Sequence, residues 1–173
     1  ISLRYPTVEL ITPVLGILLY NVYGLTEKFF AYYFFIGVLI VVTFIDIEKQ
    51  IIPNKIIVFA LTFGLLFSLT DITIHIWNGI LGLIVGSGSL LIIALVTLLI
   101  IGREGMGGGD IKLLGVVGLF LGWRLTLLTL LFSFYIGGIV SIFLLILRVK
   151  KKGEYIPFGP FIALASIIAL LYG

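Results

Sequence analysis

The feature that most constrains this chain is a succession of long apolar runs that contain almost no charge. The runs are separated by charged residues or prolines and lie at 8–24, 28–45, 55–70, 74–101, 111–122, 125–147 and 157–172. An α-helix rises about 1.5 Å per residue and needs roughly 20 apolar residues to cross about 30 Å of hydrocarbon. The longest runs satisfy this requirement, 55–70 and 157–172 are marginal, and 111–122 is predicted as either a tilted span or a re-entrant helix.

The shortage of charge excludes a soluble globular domain. Only 11% of the residues are charged and 61% are hydrophobic, whereas soluble domains carry about 25% charged residues. We therefore predict an all-α, polytopic membrane protein in which residues 1–173 form a single domain with about seven membrane helices. The absence of cysteine and the presence of one histidine exclude disulfides, thiol nucleophiles and multi-histidine metal sites.

The basic residues predict how the chain is oriented in the membrane. If the N-terminus of this chain is cytoplasmic and every run crosses, the outer loops hold only Lys28 and Arg124. The inner loops then hold Arg4, Lys49, Lys55, Arg103, Lys112, Arg148, Lys150, Lys151 and Lys152. Basic residues concentrate in the short cytoplasmic loops of membrane proteins, so a cytoplasmic N-terminus is expected. The same distribution favours a crossing at 111–122, because otherwise residues 148–152 would lie outside.

Two of the acidic residues lie at the edges of apolar runs, where an ionised side chain is energetically unfavourable. Asp46 ends the second apolar run, and Asp110 opens the fifth, so both are predicted at the cytoplasmic membrane face. An ionised carboxylate near hydrocarbon needs a partner, a proton or a water-filled cavity. If the two meet, one retains a proton, and the pair can activate water against an amide. Spacing alone leaves open two independent aspartates at helix ends, where capping and the helix dipole would favour Asp110.

A glycine cluster precedes the second aspartate. Gly107, Gly108 and Gly109 allow unusual backbone angles and would let an extended peptide approach Asp110. A phosphate-binding loop is excluded because no Lys-Ser or Lys-Thr follows. Lys112 either pairs with an acid or extends to the membrane interface. Glycines four residues apart, as at 82/86 and 118/122, predict close helix packing.

The residues after the first aspartate predict a tight turn. Pro53 disfavours helix at Ile52 and is well placed at the first turn of the next helix. The turn would present Asp46 beside the start of the third run. Asn54 is expected to cap this helix or to hydrogen-bond locally.

Together these segments resemble the type IV prepilin peptidases. Residues 107–113, Gly-Gly-Gly-Asp-Ile-Lys-Leu, resemble the G-x-G-D-x-K-L segment of that family. Asp46, followed seven residues later by Pro53, resembles the motif of its first aspartate. Residues 4–10 resemble the segment after the cytoplasmic loop of the bacterial members, and 156–161 resemble the start of their last helix. The resemblance extends over nearly the whole chain.

The resemblance implies a membrane aspartic endopeptidase of the G-x-G-D class. Such enzymes remove the short basic leader of prepilins and pseudopilins, which also carry an apolar helix, at the cytoplasmic face of the bacterial inner membrane. Asp46 and Asp110 correspond to the catalytic pair, and Gly107 and Gly109 to the motif glycines. The implied partners are these substrates and the lipid bilayer. No cofactor, metal or nucleic acid is expected.

Two further expectations qualify this interpretation. Bifunctional members carry an additional helix and a cytoplasmic loop, often with Cys-x-x-Cys motifs, and N-methylate their product with S-adenosylmethionine. Because this chain starts at Ile1 and has no cysteine, we expect a truncated or processed piece without methyltransferase activity. The main alternative is a small transporter or channel that uses Asp46 and Asp110 as a proton or cation site. A presenilin-like protease and a membrane scaffold are further alternatives.

Overall fold

The structure, a computed structural model, describes residues 4–102, 105–147 and 156–173. All regular secondary structure in these residues is helical, which confirms the all-α prediction for this part of the chain. The helices are α1 (Arg4–Tyr23), α2 (Glu27–Lys49), α3 (Asn54–Leu69), α4 (Ile76–Ile101), α5 (Gly108–Ile146) and α6 (Gly159–Tyr172).

The helices have the length and surface of membrane-spanning segments. By length and composition, α1, α2, α4 and α5 can cross a membrane, whereas α3 and α6 are apolar but shorter, with 16 and 14 residues. Large apolar side chains cover the outer surface of the bundle; Leu99, for example, is 84% exposed. In water such a surface would be unfavourable, whereas in lipid it is the expected exterior.

The structure corrects the predicted number of helices from seven to six. The runs at 111–122 and 125–147 belong to α5, and only Gly122 departs from helical geometry, with φ 79° and ψ 169°. A Cβ atom added to Gly86 of α4 would lie 2.5 Å from the oxygen of Leu114 and 2.9 Å from Cγ2 of Thr126. In a straight helix those two residues would be about 18 Å apart. The chain therefore turns back at Gly122, and the two halves of α5, 108–121 and 123–146, pack side by side.

The helices share two well-defined ends. At one end, which we call the aspartate end, α2 finishes and α3, α5 and α6 begin, because Asp46 contacts Gly159 and Ile52 contacts Gly109. At the opposite end, the hydroxyl group of Tyr23 donates to the carbonyl of Leu170, which joins α1 to α6.

The core is formed mainly by α2, α5 and α6. The fully buried rings of Phe35 and Phe120 stack with centroids 4.5 Å apart and join α2 to α5. Between α4 and α5 the backbones of Gly82 and Gly118 are in direct contact, so neither position has room for a side chain. This contact confirms the predicted close packing of glycines spaced four apart. It holds the first half of α5 against α4.

Candidate active site

Asp46 lies in the last turn of α2 and is only 2% exposed. Its carbonyl oxygen accepts a hydrogen bond from the N–H of Gln50, which ends the helix in a left-handed conformation with φ 53°. The chain then passes through a short turn to Pro53, the N-cap residue of α3, whose angles are extended (φ −64°, ψ 129°). The tight turn that Pro53 predicted is present, and it places Asp46 next to the start of α3.

The carboxyl group of Asp46 is held by the start of α6. Its Oδ2 accepts a buried hydrogen bond of 3.0 Å from the backbone N–H of Gly159, the first residue of α6. Of the next two residues, Pro160 has no N–H and Phe161 donates to the carbonyl of Phe158. The side chain of Phe158, the N-cap residue of α6, makes no capping hydrogen bond. Asp46 therefore supplies, from α2, the acceptor that a helix N-terminus requires.

Asp110 lies in the first turn of α5 and is 3% exposed. The N-cap residue of α5 is Gly107, and its backbone N–H is hydrogen-bonded to the Asp110 carboxyl group. The other carboxyl oxygen, Oδ1, is buried and has no hydrogen-bond partner in the part of the chain described. Because an unpaired buried oxygen costs about 1–3 kcal/mol, this atom is the position where a proton, a water or a substrate group would be bound.

The two aspartates, separated by 64 positions in the sequence, line the same cavity. Its volume is about 220 Å³, and its walls are completed by the turn between α2 and α3 and by the glycines before Asp110. The lining residues are Asp46, Gln50, Ile51, Ile52, Asn54, Gly107, Gly108, Gly109 and Asp110. The two carboxyl groups are close enough to interact electrostatically. The structure thus brings together the two acids that the sequence singled out, in a space large enough for water or an extended backbone.

The structure shows what the glycines before Asp110 contribute within the protein. Gly107 has ordinary extended angles (φ −70°, ψ 137°), and neither Gly108 nor Gly109 has a positive φ. These three glycines therefore do not use the positive φ values that glycine allows. What the structure requires is space at Gly109, where an added Cβ would lie 3.0 Å from Cβ of Ile52. An added Cβ at Gly108 would meet no atom within 4 Å.

Lys112 joins two of the helices that surround the cavity. Its Nζ donates a hydrogen bond of 2.8 Å to Oδ1 of Asn54, so α5 is linked to the start of α3. The expected local capping role of Asn54 is replaced by this long-range contact. Lys112 bonds an amide rather than an acid. The sequence indicated only a local role for Asn54 and did not single out Gly159; the signals for their contacts were the lysine two positions after Asp110 and the segment at 156–161.

Other predicted residues lie away from the cavity or outside the described chain. In the described ranges no group of three or more His, Asp or Glu side chains is arranged to hold a metal. His75 precedes α4, at the end opposite the aspartates. Arg103 and residues 148–152 of the predicted inner loops lie outside the described residues.

Comparison with known proteins gives a consistent result. The type IV leader peptidase family matches residues 33–142. The prepilin leader peptidase/N-methyltransferase of Aeromonas salmonicida (strain A449) is 37% identical over all 173 residues, which cover 60% of that protein. The proteins of the same name from Pseudomonas aeruginosa and Bacillus subtilis are each 35% identical over the whole chain, which covers 60% and 68% of them. The chain thus spans about 60% of the length of the first two. No solved structure matches it.

Proposed function

Since the chain belongs to the type IV leader peptidase family, we propose that it is a membrane aspartic endopeptidase that cleaves the short basic leader from type IV prepilins or pseudopilins. The proposal treats residues 1–173 as one membrane-embedded peptidase domain. It covers the peptidase reaction only, and it requires no metal or other cofactor.

The observation that carries the proposal is the shared cavity of Asp46 and Asp110. Both carboxyl groups are almost completely buried, and both are held by backbone N–H groups at helix N-termini. Two carboxyl groups that line one small, poorly solvated cavity and interact electrostatically favour one shared proton over two full charges. Such a pair supplies an acid and a base at the same place.

The reaction needs one water molecule and the two carboxyl groups. The ionised member of the pair accepts a proton from water, and the resulting hydroxide adds to the carbonyl carbon of the scissile peptide. The protonated member donates its proton to the carbonyl oxygen, which gives a neutral tetrahedral intermediate. Collapse of this intermediate breaks the C–N bond as the proton taken from water passes to the leaving amine. One hydroxyl of the intermediate gives its proton to the other carboxylate, so the product is a carboxylic acid and the pair again shares one proton. General acid and base groups of this kind contribute about 10²–10⁴-fold each to rate.

We further propose that the aspartate end faces the cytoplasm of a bacterial inner membrane. Among the described basic residues, Lys49, Lys55 and Lys112 lie at the aspartate end, whereas Lys28 and Arg124 lie at the opposite end. Basic residues mark the cytoplasmic side. In this orientation, the substrate's apolar helix would lie in lipid and its basic leader in the cytoplasm, with the scissile bond between them.

The alternative of a proton or cation pathway through the same aspartates is less well supported. A pathway would continue from the cavity toward the opposite end. Below Asp110, however, the next side chains of α5 that face the bundle are apolar and fully buried, at positions 113, 114, 116 and 117. Packed apolar side chains block the passage of ions and water.

The proposal is tested by removing one acid at a time. The purified protein in detergent is given a synthetic prepilin with a basic leader and an apolar helix. Asp46→Asn and Asp110→Asn keep the side-chain shape but remove the titrating group, so each is expected to lower kcat at least about 100-fold. Folding, measured by thermal stability in detergent, is expected to be retained.

A matched control is available at the opposite end of the molecule. Asp71 is exposed and lies in a turn with φ 53°, a conformation that Asn also adopts readily. Asp71→Asn makes the same chemical change and is expected to leave cleavage at the wild-type rate. Wild-type cleavage by either Asp46→Asn or Asp110→Asn would refute the aspartic peptidase assignment.

A further inference from the structure

We infer that the N-terminus of α6 is part of the peptidase site and that Gly159 positions Asp46 for the reaction, an inference that rests on the function proposed above. Gly159 contributes two things, its backbone N–H and the absence of a side chain. It is a positioning residue, because it acts on the substrate only through the Asp46 carboxyl group. The peptidase site is then built from three chain segments rather than from the two that carry the aspartates.

The local sequence makes Gly159 the donor available at this helix end. The first turn of an α-helix leaves its N–H groups without intrahelical partners. In α6, Pro160 removes one of these groups and Phe161 uses its own on the carbonyl of Phe158. The N–H of Gly159 is directed instead to Oδ2 of Asp46, at 3.0 Å. The α6 dipole adds a partial positive charge at the same point.

The contact also requires that position 159 carry no side chain. A Cβ added to Gly159 would lie 2.6 Å from Oδ2 of Asp46 and 3.2 Å from its Cγ. Contacts this short do not persist, so the carboxyl group would have to move. Gly159 does not have a positive φ. The requirement for glycine is therefore one of space at the aspartate and not one of backbone conformation.

The two acids are held by donors from different places. Asp46 accepts from the N–H of Gly159 in another helix, whereas Asp110 accepts from Gly107 at the start of its own helix, and its Oδ1 is buried without a donor. The position of Asp46 also depends on how α6 packs, and α6 packs on the second half of α5: the rings of Phe134 and Phe158 lie 5.2 Å apart. The second half of α5, which contains neither aspartate, thereby contributes to the placement of Asp46.

The first test is a kinetic measurement on Gly159→Ala with the synthetic prepilin. Because misplacement of a reacting group by about 1 Å costs on the order of 100-fold in rate, we expect kcat to fall about 100-fold and KM to stay within about twofold. A loss of packing alone would not separate the two constants in this way. Gly138→Ala is the control, since a Cβ there meets nothing within 4 Å; it should cleave at the wild-type rate. A Gly159→Ala protein that is folded and keeps kcat within threefold overturns the inference.

The second test measures the coupling without any need for activity. Gly159→Ala is introduced into the wild type and into Asp46→Ala, which removes the two atoms nearest to the added methyl group. We expect Tm in detergent to fall by several degrees in the wild type and by clearly less in Asp46→Ala. An equal fall in both backgrounds overturns the inference.

The same cycle covers the case in which a variant does not fold. If the Gly159→Ala single variant does not fold, folding of the Gly159→Ala/Asp46→Ala double variant supports the contact. If neither protein folds, the inference is overturned. If the wild type does not cleave the prepilin, the proposed function fails, while the cycle still decides whether Gly159 and Asp46 are coupled.

Discussion

Gly108 and Gly109 offer a matched pair for measuring how tightly the start of α5 packs against the turn that follows Asp46. The two residues are neighbours in the first turn of the same helix, and both line the cavity. An alanine methyl group at Gly109 would lie 3.0 Å from Cβ and 3.3 Å from Cγ1 of Ile52, whereas at Gly108 it would meet nothing within 4 Å. We therefore expect Gly109→Ala to destabilise the protein and Gly108→Ala not to.

The size of the difference follows from two opposing effects. Replacing glycine by alanine in a helix stabilises it by up to about 1 kcal/mol, and this gain is similar at the two neighbouring positions. Only Gly109→Ala also forces Ile52 outward, and overpacking of this kind costs about 1–3 kcal/mol. For a chain of this size, 1 kcal/mol corresponds to a Tm shift of roughly 2–4 °C. Gly109→Ala should therefore unfold roughly 2–12 °C below Gly108→Ala.

The assay is thermal unfolding of the two variants side by side in the same detergent, followed by circular dichroism. Because the pair shares its helix position and its chemical change, the comparison isolates the contact with Ile52. Ile52→Ala removes Cγ1 and should reduce the penalty of Gly109→Ala when the two are combined. Equal Tm values for Gly108→Ala and Gly109→Ala would refute the reasoning.

Two further perturbations test one contact beside the site and the turn within α5. Lys112→Met and Asn54→Ala each remove one partner of the hydrogen bond between α5 and α3. Each should lower kcat/KM in the prepilin assay about three- to tenfold, and the double variant should be no worse than the poorer single variant. Strictly additive losses would contradict a shared contact. Gly122→Ala places a side chain where φ is 79° and 2.8 Å from the Asn78 amide, so it should lower the free energy of unfolding by at least about 1–3 kcal/mol. The measurement is Tm, and the control is Gly88→Ala, whose Cβ meets nothing within 4 Å. Equal Tm values for the two variants would contradict a strained turn at Gly122.

The meeting of the two aspartates could be predicted because it depends on properties that a sequence displays directly. Apolar runs show where the chain crosses, and the number of crossings decides which helix ends lie together. Asp46 and Asp110 each lie at the edge of such a run, so counting crossings was enough to place both at one end. The predicted count of seven helices was wrong, yet the error did not move either acid, because α5 turns back at Gly122.

The turn at Gly122 lies where the sequence analysis separated the runs at 111–122 and 125–147, but the sequence did not show how the chain reverses there. A helix end usually needs polar turn residues, and the sequence around Arg124 has a single charge and one glycine. The reversal depends instead on a backbone conformation that essentially only glycine adopts and on close packing with Gly86 and Asn78 of α4. Arg124 marked the division between the two runs, but the local pattern did not show that Gly122 itself makes the turn.

The contacts around the acids were also beyond prediction, for a related reason. Gly159 and Asp46 are 113 residues apart, and Lys112 and Asn54 are 58 apart. Hydrogen bonds between distant helices follow from how the helices are rotated against one another, and the weak amphipathicity of membrane helices gives little information about rotation. The segment at 156–161 could be recognised as a resemblance, but its physical role required the position of α6 relative to Asp46.

The structure also explains why two acids are tolerated so near to hydrocarbon. A carboxylate there needs donors, and in a bundle of membrane helices the backbone donors that are not already used lie in the first turns of helices. Asp46 reaches the first turn of α6, and Asp110 lies in the first turn of α5. The oxygen that lacks a donor, Oδ1 of Asp110, is the point in the cavity where water or a peptide group can be bound without displacing a contact within the protein.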